Sequence, residues 1–357
     1  MSLTAKNLWK LPADPAHATV RTRTRFTPSL KTADPDPNRT VRPRQRSKTS
    51  AIALIGPGRL GLALGLALKT AGHPIAIAVA RTTKTAKPAG KRLNSQVAAT
   101  GARELHKLPP AARNLIAQSP IVVIATPDDA IPHIAIELRN LLDNSSSNQR
   151  AAGRTVFHTS GALTSDVLDP LRRHGFSAAS IHPLISISGG HLSNPFAGSH
   201  FALEGDREAV RIGRGLVREI GGNSFVIDAQ HKALYHAAAV MASPNLTALI
   251  DIAVEMMTRC GLSPRRSRQI LLPLIQSTVD NLVHQNPRSA LTGTFKRGDL
   301  ATVKMHLAAI ASERLTDALR AYVTLGEHSL ALSQIPKSKK RVIETLLNHA
   351  TAKNLKR

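Results

Sequence analysis

A regular alternation of apolar and polar positions begins at Ser50; the 49 residues before it show none. Residues 51–55, 75–80, 121–125 and 155–159 are short runs of small and β-branched residues bounded by turn formers, the mark of strands buried on both faces. Shorter strand signals follow at 180–184, 201–204 and 224–227. Helical spacing occupies 60–71, 109–118, the stretch ending at Leu142, 165–173 and 206–220. Strand and helix thus alternate up to Asp228, which predicts a largely parallel sheet with helices packed on it. After Asp228 no strand signal recurs. Residues 229–260 read as a long helix with a break at Pro244, 263–285 as a helix holding Pro273, and 299–332 as a last helix. The expected fold class is α/β: a Rossmann-type, largely parallel sheet followed by an all-helical C-terminal domain. The expected boundaries are a disordered basic tail at 1–49, a dinucleotide-binding domain at 50–228, a helical domain at 229–336 and a basic tail at 337–357.

The junction between the first strand and first helix is Gly56-Pro57-Gly58-Arg59-Leu60-Gly61, a G-x-G-x-x-G turn. Gly56 suits a sharp turn off the strand, Gly58 a close approach of a pyrophosphate to backbone, and Gly61 close packing of helix on sheet. A tight strand–helix turn without a ligand is the plainer alternative; the strand before it, the helix after it and the second strand at 75–80 favour dinucleotide binding. The second strand settles which dinucleotide to expect. An NAD site places an acidic residue about 20 residues past the glycines, yet no Asp or Glu occurs between Gly61 and Glu104, and the strand runs into Arg81-Thr82-Thr83-Lys84. A guanidinium can pair with a 2′-phosphate, so Arg81 and Thr82 point to NADP. Thr126 and Pro127, at the end of the strand over 121–125, are expected to line the nicotinamide pocket.

Charge changes the picture only at the ends. The chain of 357 residues carries a net +25, of which residues 1–50 hold +8 and 337–357 hold +6, leaving +11 between. Solvated basic arms explain the tails, with nucleic-acid binding the weaker reading. The remaining excess suits an anionic small-molecule substrate and cofactor. A single cysteine, Cys260, fits a reducing, cytoplasmic setting and excludes a cysteine metal cluster. The 15 histidines are scattered, so no metal is expected. No uninterrupted apolar run approaches ~18 residues, which predicts no membrane span.

Candidate chemistry lies in four places. Lys232 and His236 stand at i and i+4 on one helix face, where a buried Lys or His could give a proton to a carbonyl or imine under reduction; a solvated lysine and a core histidine are the plain alternative. His158 and His182 sit at strand ends, either in the pocket or as structural residues. Ser243-Pro244-Asn245 breaks the helix, and Asn245 could orient a substrate. In Leu291–Asp299, Arg297 could grip a carboxylate, or pair with Asp299 in an interhelix loop.

Taken together these stretches resemble the family of NADP-dependent oxidoreductases that joins a Rossmann-like N-terminal domain to a helical C-terminal domain of unknown function. The resemblance runs from Ser50 to about Leu332. It rests on the glycine turn, Thr126-Pro127-Asp128-Asp129-Ala130-Ile131, His158-Thr159-Ser160-Gly161-Ala162-Leu163, Ile181-His182-Pro183-Leu184, Tyr235-His236-Ala237-Ala238-Ala239-Val240, Leu291-Thr292-Gly293 and Arg297-Gly298-Asp299. That family is similar to 6-phosphogluconate dehydrogenase, ketopantoate reductase, pyrroline-5-carboxylate reductase and deazaflavin-dependent NADP reductases. The resemblance implies an NADP-dependent reductase of a small carboxylate-bearing carbonyl or imine, such as a 2-oxo acid, with Lys232 as proton donor. It implies Ser160 and Gly161, with His182, Asn245 and Arg297, around the substrate, and a homodimer through the helical domain. His236 stands where the wider group has Asn, and Pro244 where this family tends to carry a polar residue. A non-catalytic NADP(H)-binding redox sensor is the alternative.

Overall fold

A computed structural model describes residues 50–99, 104–143, 153–187 and 194–354; the expectation of a disordered arm at 1–49 lies outside them. Eight strands form one sheet: β1 (Ile52–Ile55), β2 (Ile75–Ala80), β3 (Gln96–Ala99), β4 (Ile121–Ile124), β5 (Thr155–His158), β6 (Ser177–Leu184), β7 (His200–Gly205) and β8 (Asn223–Val226), in the spatial order β3-β2-β1-β4-β5-β6-β7-β8. Every pairing is parallel except β6 with β7. The strand order reverses between β1 and β4, so the C-terminal ends of these two strands open the crevice where such sheets bind ligands.

Apolar alternation along the strands builds two cores. Ala53, Ile55, Val122 and Ile124 face one layer, and Ile52, Leu54, Ile121 and Val123 the other. The first layer is covered by α3 (Pro110–Gln118) and α4 (Ile131–Asp143), the second by α1 (Arg59–Thr70) and α6 (Arg207–Glu219). Between β2 and β3 lies α2 (Thr83–Leu93), a helix with Pro88 inside it. Neither α2 nor β3 is legible in the apolar pattern: α2 is rich in Thr and Lys and buries only Ala86, Ala89, Gly90 and Leu93. The helix expected at 165–173 is a 3₁₀ turn, Ser165–Leu168, followed by one α-turn, α5 (Asp169–Arg172).

The helical half begins with α7 (Lys232–Ala242) and α8 (Pro244–Arg259), divided at Ser243 as Pro244 predicts, and continues into α9 (Pro264–His284), which carries Pro273. Two short helices, α10 (Pro287–Ala290) and α11 (Gly293–Arg297), lead to α12 (Leu300–Ser312) and α13 (Thr316–Leu332). The single last helix expected at 299–332 is therefore two, separated where Arg314 adopts φ +57. The expected basic tail at 337–357 is corrected more strongly. Residues Lys337–Asn354 form α14, and Ile343 and Leu347 are fully buried with Val303, Leu307 and Leu330. The lysines and arginines of α14 mask a sparse apolar stripe that closes the helical core.

A second correction concerns hydropathy. The stretch Ala229–Arg259, 31 residues, is long and apolar enough to cross a bilayer by length and composition, although His, Lys, Ser and Asn interrupt every shorter run. Only 6% of its most apolar window is buried. Its first turn is nevertheless anchored in the sheet domain through Lys232, and α8 packs against α9 and α13.

Candidate active site

The glycine turn forms a cradle. Gly56 has φ +92, and a Cβ there would stand 2.7 Å from the Ala125 carbonyl carbon, at the exit of β4. A Cβ on Gly61 would collide with the Gly56 carbonyl oxygen. These two glycines let β1, α1 and β4 meet. Gly58 differs: a Cβ would meet nothing within 4 Å. Gly58 caps α1 without a side-chain hydrogen bond, and the first turn of α1 holds no acid. Free N–H groups and the positive helix end therefore face open space, the setting for a pyrophosphate. Beside it a cavity of about 510 Å³ is lined by Gly56, Pro57, Gly58, Arg81, Thr126 and Pro127, together with Thr85 and Asp129. The Thr126 hydroxyl oxygen is buried without a hydrogen-bond partner, which fits a polar group of a cofactor lying there. Arg59 and Leu60 do not line the cavity; Arg59 is exposed and Leu60 packs against the second core layer.

Arg81, Thr82 and Lys84 are exposed at the start of α2. The Thr82 hydroxyl accepts from the Thr85 N–H at 3.4 Å, and no acid occupies the first turn. A cation, a helix N-terminus and hydroxyls thus converge where the adenosine ribose would end, which fits a phosphate monoester. Thr85 could have been found in the sequence had the helix 83–93 been recognised, because it sits in that helix's first turn.

Behind this crevice lies a closed polar cluster. Lys232 is fully buried. Its Nζ donates to Ser180 Oγ at 2.7 Å and to the Ser160 carbonyl at 3.3 Å, with Glu204 Oε2 at 4.0 Å. Strand register explains the meeting: His158, Ser180 and Glu204 are paired in a row across β5, β6 and β7. Burial pushes the Lys232 ammonium below the ordinary lysine range, and the Glu204 and Asp128 carboxylates oppose that shift. Lys232 does not open into the crevice; it ties the first turn of α7 to the loop after β5. Ser160 is equally committed. Its hydroxyl donates to Asp128 Oδ2 at 2.8 Å and accepts from the N–H groups of Ala162 and Leu163. Ser160 thus shapes the loop rather than offering a free hydroxyl. Glu204 accepts from the Ser165 N–H and hydroxyl, both at 2.8 Å.

That loop presents Gly161 to two rings. A Cβ on Gly161 would run into the His236 ring and come within 2.8 Å of His182 Cε1 and Nε2. His182 and His236 meet edge to face at 5.5 Å, and His182 Nδ1 lies 2.7 Å from the Tyr235 hydroxyl. Burial, with the nearby His236 and Lys232, holds the His182 imidazole down at about 4; burial first, then Lys232, does the same for His158. Burial raises the Tyr235 phenol to about 12. Tyr235 is the member sequence reasoning missed, although it stands beside His236 in the same stretch. His158 is a structural residue: it is fully buried, with Nε2 on the Thr164 carbonyl and Nδ1 accepting from the Ser160 N–H.

Two expected residues are not brought to this crevice within one chain. Asn245 is exposed and donates to Met241 Sδ. Arg297 is 64% exposed and closes on Asp299 at 2.8 Å, the local pair that the sequence left as an alternative. Among the described residues no three His, Cys, Asp or Glu side chains gather to hold a metal ion.

Comparison with known proteins agrees with this layout. A Rossmann-like domain model matches residues 33–183, and the model of a domain of unknown function, DUF2520, matches residues 199–329. No curated protein sequence matches the chain. Among solved structures, the chain is similar to a protein from Bacteroides fragilis assigned as an NADP oxidoreductase, at 17% identity over 85% of this chain and 98% of that one, with a TM-score of 0.58. A Thermotoga maritima protein matches at 24% identity over 85% and 98%, TM-score 0.52. A reductive aminase from Aspergillus terreus, solved with NADPH and ethyl levulinate, matches at 17% identity over 85% and 94%, TM-score 0.52. At these identities the likeness is one of fold.

Proposed function

We propose that this chain, a Rossmann-like domain joined to a DUF2520 domain, is an NADP(H)-dependent oxidoreductase that reduces a small carbonyl or imine compound. The observation that carries the reading is the cavity between Gly58, Arg81 and Thr126, with an unopposed helix N-terminus at one end and an orphaned hydroxyl at the other. The names of the similar folds, an NADP oxidoreductase and an NADPH-bound reductive aminase, support it. Gly56 to Gly61 would hold the pyrophosphate, Arg81 with the first turn of α2 the 2′-phosphate, and Thr126 and Pro127 the nicotinamide side. A bound NADPH would supply the hydride. The chain itself supplies the His182 and His236 rings, packed on Gly161, as the wall against which a small substrate would lie. Lys232 would act as a positioning residue that fixes this wall through Ser160 and Ser180.

Calorimetric titration tests the cofactor. NADPH should bind at least about tenfold more tightly than NADH, a difference of about 1.4 kcal/mol, and Arg81→Ala should abolish the difference. Equal affinities in the unaltered protein would refute the choice of NADP. NADPH binding without oxidation by a broad panel of aldehydes, 2-oxo acids and cyclic imines would favour a redox sensor instead.

We also infer that a second copy covers the outer face of α7 to α9. Leu234 and Met241 of α7 and Leu272, Leu274 and Val283 of α9 are each more than 60% exposed, apolar side chains that a second copy would cover. Glutamate at both Leu234 and Leu272 should shift the sedimentation profile from dimer to monomer.

A further inference from the structure

We propose that the Tyr235 hydroxyl fixes His182 as a neutral imidazole with its proton on Nε2, and that this Nε2–H is the donor that polarises the substrate's reacting atom. The inference rests on the reading of the crevice as a reductase site and deepens it by naming the substrate class, a carbonyl compound.

The geometry begins with the 2.7 Å contact between Tyr235 Oη and His182 Nδ1. Two arrangements could make that bond. A phenol O–H is a stronger acid than a neutral imidazole N–H, and an imidazole nitrogen is a far stronger base than a phenol oxygen, so the favoured bond runs from Tyr235 O–H to Nδ1. That leaves the ring proton on Nε2. His182 is half-buried, its Nε2 makes no hydrogen bond among the described residues, and it packs beside Gly161, 2.8 Å from where a Cβ would stand. The edge-to-face contacts with Tyr235 at 5.7 Å and His236 at 5.5 Å hold the ring plane. The groups facing it are cationic or neutral: Lys232 behind the loop and His236 beside it. They disfavour an imidazolium, and burial does the same.

A neutral N–H donor selects its partner. A carbonyl oxygen has lone pairs to accept it, and the bond strengthens as that oxygen gains negative charge. A protonated imine has no lone pair on nitrogen and would set N–H⁺ against Nε2–H, donor against donor. The crevice therefore favours an aldehyde or ketone over an iminium. A bound reduced nicotinamide would supply a hydride to the carbonyl carbon, and the C=O π pair would move onto oxygen. That oxygen would take the Nε2 proton while Nδ1 takes the Tyr235 proton; water then protonates Nε2, leaving as hydroxide, and the Nδ1 proton returns to the Tyr235 phenolate, which restores the Nε2–H imidazole.

The test combines nitrogen NMR of histidine-labelled protein with NADPH oxidation by matched sets of aldehydes, 2-oxo acids and cyclic imines. At neutral pH His182 should be Nε2-protonated, and Tyr235→Phe should shift it to a mixture of tautomers. Carbonyl turnover should fall on the order of 10²-fold in His182→Leu and recover partly in His182→Gln, which keeps an N–H donor. An Nδ1–H or charged imidazole in an active enzyme overturns this inference alone, as does turnover of imines but not carbonyls. An Nε2–H imidazole with no NADPH oxidation by either set overturns the reductase reading, and this inference with it.

Discussion

Lys232 Nζ and Ser180 Oγ lie 2.7 Å apart in a place sealed from water, joining the first helix of the helical half to the middle of the sheet. The ammonium is satisfied by Ser180, the Ser160 carbonyl and the nearby Glu204 carboxylate. Lys232→Met keeps most of the volume but strips Ser160 O of a donor and leaves Glu204 without its cation. Unpairing buried polar groups costs about 1–3 kcal/mol, so the thermal midpoint should fall by several degrees. Adding Glu204→Gln should restore part of that loss. Equal midpoints for Lys232→Met and the unaltered protein would show that the cluster contributes nothing to the joint.

Acid should loosen the same region. His158 and His182 are both held down to about 4, against 6.5 for a free histidine. Between these values the unfolded chain binds protons that the folded chain refuses. The folded state therefore keeps its full stability above about pH 6.5 and loses it as pH falls toward 4. Each histidine should contribute a loss of up to about 3 kcal/mol at pH 4. Urea unfolding at pH 7 and pH 5 measures this, and His182→Gln should flatten part of the slope.

Much of this fold is legible in the apolar pattern, and the departures have physical causes. β1 and β4 are continuous apolar runs because both of their faces are covered. β3 lies at the sheet edge with only Ala98 buried, so it leaves almost no apolar signal. α14 escapes because two residues, Ile343 and Leu347, carry its burial among many cations. The cofactor turn is legible since Gly56 and Gly61 answer to steric demands that no other residue meets. The substrate side is less so. Spacing shows that Lys232 and His236 share a helix face, but not that the face meets both the sheet interior and the crevice, so that one residue is sealed and the other is not. Arg297 looks the same in sequence whether it grips a substrate or Asp299.

The α14 correction carries its own test. Ile343→Ala removes a fully buried side chain from the cluster with Val303 and Leu330. Such truncations cost about 2–5 kcal/mol. A solvated tail would show no change, so a thermal midpoint unmoved by Ile343→Ala would return residues 337–354 to the role of a free basic arm. Arg341→Ala, on the same helix but exposed, should move the midpoint little.

Gly58 and Gly61 separate folding from cofactor binding. Both belong to the turn, yet only Gly61 is needed by the apo fold: a Cβ there strikes the Gly56 carbonyl oxygen, whereas one on Gly58 meets open space. Gly58 also has φ −71, a value any residue adopts. Gly58→Ala should therefore unfold at the same temperature as the unaltered protein, or slightly above it. The added methyl would stand where the pyrophosphate must approach the backbone, so NADPH should bind at least about tenfold more weakly, about 1.4 kcal/mol. Gly61→Ala should show the reverse order of effects, with lost stability first. Calorimetric titration and thermal melts of the two variants side by side check both halves. If Gly58→Ala binds NADPH as well as the unaltered protein, the phosphates do not lie at this helix end, and the placement of the cofactor fails.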